Sequence, residues 1–394
     1  MVKEISNLKS IMISGYYGFG NCGDEAILMA MIQQLSDIVA EERITVLSQN
    51  PKKTRLLYGV DSIFRLNPFL ICWKMKKSGI FISGGGGLLQ DTTGKGLSII
   101  YYLSLILLAR LLRIPGIIYG QGIGPIRRQI NRKLIRFSLS KANLIIVRDK
   151  QSQMLLEEIG ISKELVLVYA DSSFLLKGEK LPDNIYKELQ LEESQPKVFH
   201  DNMVIGLALR NCKEIGQDYN KKIIQLAKIA DHLITKYKAR LIFLPFQINN
   251  DLALINDIIK NMENASVHCL EQEINPAQML TLFSNLSLII GMRFHAILFA
   301  TMNSNPFIAI DYDPKVKNYV SSLGLSELLL NIDQLTIKNI DNKIKYINDN
   351  QENIKSVLYT STKQYQDKAD TGIVKLKSFI RERFLNLERK IENS

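Results

Sequence analysis

Cysteine is scarce and scattered. Cys22, Cys72, Cys212 and Cys269 are the four in 394 residues, mostly inside apolar runs, with no Cys-x-x-Cys pair and no histidine at metal-ligand spacing. That pattern excludes a disulfide-stapled secreted scaffold and a zinc site, and it fits a reducing compartment. A bilayer-spanning run is also missing: the most apolar stretch, Leu97 to Leu112, has 16 residues where a span needs about 20. It reads either as a buried core helix or as an interfacial helix with Tyr101, Tyr102, Arg110 and Arg113 at the membrane surface. The first residues, MVKEISNLKSIMISG, lack a signal-peptide pattern, so the expected location is cytoplasmic.

Negative charge is in short supply. Fifty Lys and Arg stand against 39 Asp and Glu, for a net charge of +11 and a pI of about 9.3, which points to an acidic partner: nucleic acid, an anionic membrane or a phosphorylated substrate. The excess is local. Between Arg110 and Lys150 ten basic residues face only Asp149.

Hydrophobic content of 46% and a mean hydropathy of +0.01 give a globular chain long enough for two domains with full cores. Short apolar runs alternate with helical patterns along most of its length, the signature of parallel α/β sheets. Ile11 to Ser14 is the first expected strand. It runs into the loop GYYGFGNCGDEA and a helix from Ile27 to about Val39.

That loop is neither a Walker A loop, having no Gly-Lys-Ser/Thr, nor a GxGxxG fingerprint. Asp24 and Glu25 would repel a phosphate, so Asn21, Asp24 and Glu25 read as ligands for neutral sugar hydroxyls, with simple helix capping by Asp24 as the bland alternative. The strand Ile80 to Ser83 precedes four glycines and makes Gln90 and Asp91 further polar candidates. Close backbone approach to a ligand or a flexible connection both account for those glycines.

Arg128, Arg132 and Arg136 recur at spacing four in the helix Arg127 to Lys141 and form a stripe for anionic lipid or a diphosphate, or simply a solvated face. Arg148 follows the strand Leu144 to Val147, and Asp171 follows Leu165 to Tyr169. Arg210, Asn211 and Gln247 also fall at strand ends. The polar stretch containing Pro182 and Pro196 reads as a linker. The expected domains are residues 1–180, a linker 181–202, residues 203–333, and a helical tail 334–394 with an apolar stripe of Ile373, Leu376, Ile380 and Leu385.

The densest stretch runs from Ser287 to Val320. A buried strand, Leu286 to Ile290, breaks at Gly291 into a helix near Phe294, and a second strand, Phe307 to Asp311, follows. Arg293, His295 and Lys315 then all stand at carboxyl ends of parallel strands, the edge where ligands bind in open α/β sheets. One guanidinium, one imidazole and one ammonium at helix N-termini describe a site for a small, highly charged anion with a proton donor or acceptor beside it. His295 by itself is equally a satisfied core residue. Arg293, two positions earlier, favours the site.

The motifs GYYGFGNCGDEAI, ISGGGGLLQD, YGQGIGP, VRDKQS, YADSSF, GMRFHAILFA and DYDPKVK occur in that order. Over nearly all of the chain up to about Leu325 the sequence resembles the polysaccharide pyruvyl transferase family, most closely its CsaB-type bacterial cell-wall members. The resemblance implies an α/β fold of two Rossmann-like domains with a cleft between them, similar to GT-B glycosyltransferases. It implies transfer of the enolpyruvyl unit of phosphoenolpyruvate to two hydroxyls of a sugar, giving a cyclic, 4,6-type pyruvate ketal and phosphate. The CsaB-type acceptor is N-acetylmannosamine in a lipid-diphosphate-linked precursor at the inner membrane face, and the pyruvylated polymer anchors surface-layer proteins.

The family's donor residues map onto Arg148, Arg293 and Lys315, with His295 as the acid/base. No metal or cofactor is implied, phosphoenolpyruvate being a co-substrate, and nucleic acid is not among the partners. The rival readings are a nucleotide-sugar glycosyltransferase on the same fold and a non-catalytic binder of lipid diphosphates or glycans.

Overall fold

The computed structural model describes residues 10–91, 97–191, 199, 202–211, 218–264 and 267–392. Cys212 and part of the expected linker, residues 192–198, 200 and 201, lie outside them. The chain divides into two compact units, one of Met1–Leu176 and Tyr365–Ser394, the other of Lys177–Gln364. The expected linker begins with a short helix, Asp183–Glu188. The tail is shared: the helix Ile337–Asp349 belongs to the second unit, whereas the helix Gln351–Glu392 starts in the second and ends in the first.

Among the described residues the first unit carries seven parallel strands: β1 (Ser10–Ser14), β2 (Ile44–Ser48), β3 (Asp61–Phe64), β4 (Ser78–Gly86), β5 (Gly116–Gln121), β6 (Leu144–Val147) and β7 (Val166–Val168). Their order is β3-β2-β1-β4-β5-β6-β7. The inner strands are apolar on both faces, with Ile11, Met12 and Ile13 fully buried, because helices cover both sides of a parallel sheet. The direction of the chain across the sheet reverses between β1 and β4, the kind of switch point at which open parallel sheets bind ligands.

β4 does not stop at Ser83. It continues through Gly84 and Gly86, which pair with Tyr119 and Gln121 of β5. The glycines are therefore no flexible connection. A Cβ on Gly85 would lie 2.1 Å from Ile27 and one on Gly86 2.3 Å from Asp24, and both have positive φ; the helix Cys22–Leu35 packs where side chains would be.

The apolar helix Leu97–Leu111 is a core element. Ile99, Tyr102, Leu103, Leu105, Ile106 and Ala109 are buried in one cluster with Phe81, Ile118 and Ile135. Among the described residues no helix is long and apolar enough to cross a membrane. In the last helix Ile373, Leu376 and Ile380 are buried as expected, but Leu385 is exposed and Phe384 takes its place. A step of four from Ile380 stays on one helical face, whereas a step of five leaves it.

Among the described residues the second unit repeats the plan with six parallel strands: β8 (Val204–Ala208), β9 (Arg240–Phe243), β10 (Val267–Cys269), β11 (Leu288–Gly291), β12 (Phe307–Asp311) and β13 (Leu329–Asn331), in the order β10-β9-β8-β11-β12-β13. Phe246, Phe283 and Phe299 meet in its core at 5.7–6.0 Å between ring centroids. The reversal here falls between β8 and β11. Arg210, Arg293 and His295 come just after those two strands.

Candidate functional site

In the second unit the carboxyl edge is built around a buried ion pair. Arg293 is the N-cap residue of the helix Phe294–Met302; its Nη2 donates to Asp251 Oδ1, and the two side chains are 8% and 0% exposed. Asp251 lies in the first turn of the helix Ile248–Lys260, and its Oδ2 accepts the Gln247 backbone N–H at 2.9 Å. Burial pushes the Asp251 carboxyl up, against the pull of Arg293 and of the Gln247 N–H. Arg293 Nε is buried without a hydrogen-bond partner among the described residues, so the guanidinium keeps donor capacity beyond its carboxylate.

Next to it Arg210 Nη1 donates to the Tyr312 hydroxyl at 2.8 Å, with the guanidinium 5.6 Å from the ring centre. Burial raises the Tyr312 hydroxyl, and Arg210 and Arg293 partly offset it. Tyr312 follows β12, so the ends of β8, β11 and β12 share one cluster of positive charge.

His295 stands in the first turn of the Phe294–Met302 helix, half-buried, its ring edge-on to Phe294 at 5.1 Å. Phe294 packs edge-on against Tyr319 of the helix Pro314–Ser322. Asp313 caps that helix by accepting the Lys315 N–H at 2.9 Å, which places half-buried Lys315 in its first turn. Arg293, His295 and Lys315 thus share one sheet edge. Two helix N-termini, which favour anions, open on the same edge.

Arg148 belongs to the first unit. Its Nη1 donates to Asp171 Oδ2 at 2.7 Å with both side chains buried, and Asp171 Oδ1 accepts the Ser173 backbone N–H and hydroxyl at 3.1 and 2.7 Å. Burial would lower the arginine, but Asp171 and Asp149 outweigh it and keep the guanidinium charged. A Cβ on Gly122 would come within 2.7 Å of Arg148 Nε, so the glycine after β5 makes room for this cation.

The other sugar-binding candidates differ in what already occupies them. Asn21 Oδ1 accepts the Gly23 N–H at 3.1 Å. Glu25 accepts the Gly18 N–H through one oxygen and the Tyr58 hydroxyl through the other, each at 2.7 Å; burial nevertheless raises its carboxyl. These two hold the glycine loop and its helix together. Asp91 accepts the N–H groups of Arg127 and Arg128 at 2.8 and 2.9 Å and the Asn131 amide at 3.0 Å. It anchors the start of the helix Gln129–Leu139, and despite burial those donors hold its carboxyl below the usual range. Asp24, beside Gly86, and Gln90 are half-buried.

The arginine stripe is not one uniform face. Arg128 precedes the helix as its N-cap residue, Arg132 bonds the Ile126 carbonyl at 3.1 Å and pairs with Glu158 at 3.6 Å, and Arg136 lies over Gly160.

Sequence reasoning missed Asp251 and Tyr312 as site residues, and Tyr17, whose buried hydroxyl donates to Gly84 O at 2.8 Å. The tyrosines of GYYGFG and DYDPK lie inside recognised motifs. Asp251 carries no local signal. Among the described residues no group of three or more His, Cys, Asp or Glu is placed to hold a metal.

Comparison with known proteins adds three observations. A family model described as polysaccharide pyruvyl transferase matches residues 21–314. The amylovoran biosynthesis protein AmsJ of Erwinia amylovora is 21% identical, covering 90% of this chain and 95% of its own. Two solved structures superpose along nearly the whole length: Anabaena Alr3699/HepE in complex with UDP-glucose, with TM-score 0.59, 14% identity and coverage of 96% of this chain and 100% of that one; and the S. aureus MnaA-UDP co-structure, with TM-score 0.65, 14% identity and coverage of 96% and 98%. At such identities the likeness concerns the fold, which is of the GT-B-like type.

Proposed function

The chain belongs to the polysaccharide pyruvyl transferase family, and from that premise we propose that it transfers the enolpyruvyl unit of phosphoenolpyruvate to two hydroxyls of a polysaccharide-precursor sugar, forming a cyclic ketal and releasing phosphate. The observation that supports this reading best is the group of cations at the carboxyl edge of the second sheet. Phosphoenolpyruvate is a carboxylate and a phosphate on a three-carbon frame. Arg293 suits bidentate contact with such an anion, being held in place by Asp251 with its Nε still available, and Lys315 supplies a point charge.

In this reading His295 delivers a proton to C3 as one sugar oxygen bonds to C2, and that hydroxyl gives up its own proton. The bond from C2 to the bridging phosphate oxygen then breaks, phosphate leaving with the electron pair; of the two hydroxyl protons, one restores the His295 imidazole and the other ends on the released phosphate. The second hydroxyl bonds to C2 and loses its proton to complete the ketal. Cations near the departing phosphate stabilise the charge that develops on it. Arg148 stands as a further cation for anionic substrate groups at the first unit's own edge, with Asp24 and Gln90 as the polar groups nearest in kind to hydroxyl ligands and Asp171 as the carboxylate that holds the guanidinium in place. The proposed acceptor is N-acetylmannosamine on a lipid diphosphate at the inner face of the membrane, in the assembly of a cell-wall or exopolysaccharide polymer.

Mass spectrometry of reactions with phosphoenolpyruvate tests this reading. Gain of a pyruvyl ketal on a diphospholipid disaccharide ending in N-acetylmannosamine is expected. Gain only on a galactose-ended acceptor would keep the reaction and overturn the sugar. Glycosyl transfer from a UDP-sugar, with no pyruvyl product on any acceptor, would overturn the reaction itself.

A further inference from the structure

A cavity of about 460 Å³ opens in the first unit at the amino-terminal edge of the sheet, the edge opposite Arg148. It lies where the Leu97–Leu111 and Gln129–Leu139 helices end, beside the start of β5 and the last helix, and no part of the pyruvyl-transfer reading uses it. Four cations line it, Arg110, Arg113, Lys141 and Arg383, against the one carboxylate of Glu382. The rest of the wall is largely apolar, including Ile106, Ile114, Pro115 and Phe379. Beside these residues in the chain, Leu111 is 79% exposed.

Helix dipoles alone would draw Arg110 and Lys141 to helix C-termini. They do not account for three other features. Arg113 occupies the left-handed position of a Schellman cap, φ 60, with Ile114 N–H donating to Ala109 O at 2.8 Å and Arg113 N–H to Arg110 O at 3.0 Å; glycine is the default there, and arginine costs backbone strain. Ser138 is 1% exposed, lines the cavity, and its hydroxyl has no hydrogen-bond partner among the described residues. Arg383 Nε is likewise buried and unpartnered among them. Orphaned donors of this kind cost stability unless something accepts from them.

We propose that this cavity is a second anion site, which takes a phosphate group carried on an apolar body. Guanidinium groups match phosphate geometry, the Ser138 hydroxyl supplies a neutral donor, and the apolar wall receives the attached carbon skeleton. A soluble phosphate ester and a lipid headgroup share this chemistry.

The test compares the full chain with an Arg113→Gly, Lys141→Gln double variant. Arg113→Gly places glycine where the backbone already favours it, so the variant should unfold no earlier than the wild type. Calorimetric titration with short-chain phosphatidic acid and with inorganic phosphate, and flotation with phosphatidylcholine vesicles with and without phosphatidic acid, supply the readouts. Saturable binding of the short-chain lipid, tighter than that of inorganic phosphate and weakened at least about tenfold in the double variant, is the expected result. Added capture by the acidic vesicles would assign a membrane source, and its absence a soluble one. No saturable binding of any probe, or equal affinity in both proteins, overturns the proposal.

Discussion

Arg293 and Asp251 share charge where water does not reach, and a pair of this kind is far more costly to break than to lose whole. Asp251→Ala leaves a buried guanidinium uncompensated and should destabilise the second unit by about 3–5 kcal/mol, read from urea unfolding; a loss below about 1 kcal/mol would mean that water or another acceptor replaces the carboxylate. Glu25 makes a different prediction. Its folded-state carboxyl is raised by burial, so the folded chain binds its proton more tightly than the unfolded one. Its contribution is therefore fully present below the unfolded value of about 4.3 and is lost as pH rises through the folded value. Urea midpoints of the wild type should fall, relative to Glu25→Gln, as pH rises from about 4 toward 7. Parallel curves would contradict the assignment. The cations of the site could be read from the sequence because each follows a buried strand. Their carboxylate partners could not: Asp251 is 42 positions from Arg293 and Asp171 is 23 from Arg148, and periodicity says nothing about which acid folds onto which base.

The strands that sequence reading located are apolar runs buried on both faces, such as Leu144–Val147 and Phe307–Asp311, both located to the residue. It missed β3 and β13, edge strands of four and three residues. It also missed the helices Pro51–Tyr58 and Pro68–Lys77, though both announce themselves: Asn50 and Asn67 cap them, each followed by proline, as Asn275 and Pro276 begin the helix Pro276–Ser284. An asparagine accepting from the first turn and a proline with no N–H to satisfy form a start signal independent of hydrophobic period. The glycine run invited the opposite error, since glycines look flexible in sequence while here they admit a helix. Gly86→Ala combines positive φ with a Cβ 2.3 Å from Asp24 Oδ1 and should cost about 1–3 kcal/mol, measured by thermal or urea unfolding. An unchanged midpoint would mean that the contact relaxes freely.

For the molecule as a whole, two sheets of like strand order each carry a buried Arg–Asp pair at the carboxyl edge, Arg148 with Asp171 and Arg293 with Asp251. Buried pairs add little to stability compared with apolar packing, and under the proposed function both would hold a guanidinium ready for an anion. The fold class and family were legible because several motifs agree in order along the chain. The acceptor was not, because sugar-binding hydroxyl ligands are ordinary polar residues with no spacing of their own. Pyruvyl transfer is tested by phosphate release by the purified chain from phosphoenolpyruvate with the N-acetylmannosamine-ended diphospholipid, compared with His295→Ala. Pyruvyl transfer with His295 as the acid predicts acceptor-dependent phosphate release matched by pyruvyl ketal, reduced about 10²–10⁴-fold in the variant. Equal turnover by the two proteins would remove His295 from the chemistry, and phosphate release without a ketal product would contradict pyruvyl transfer.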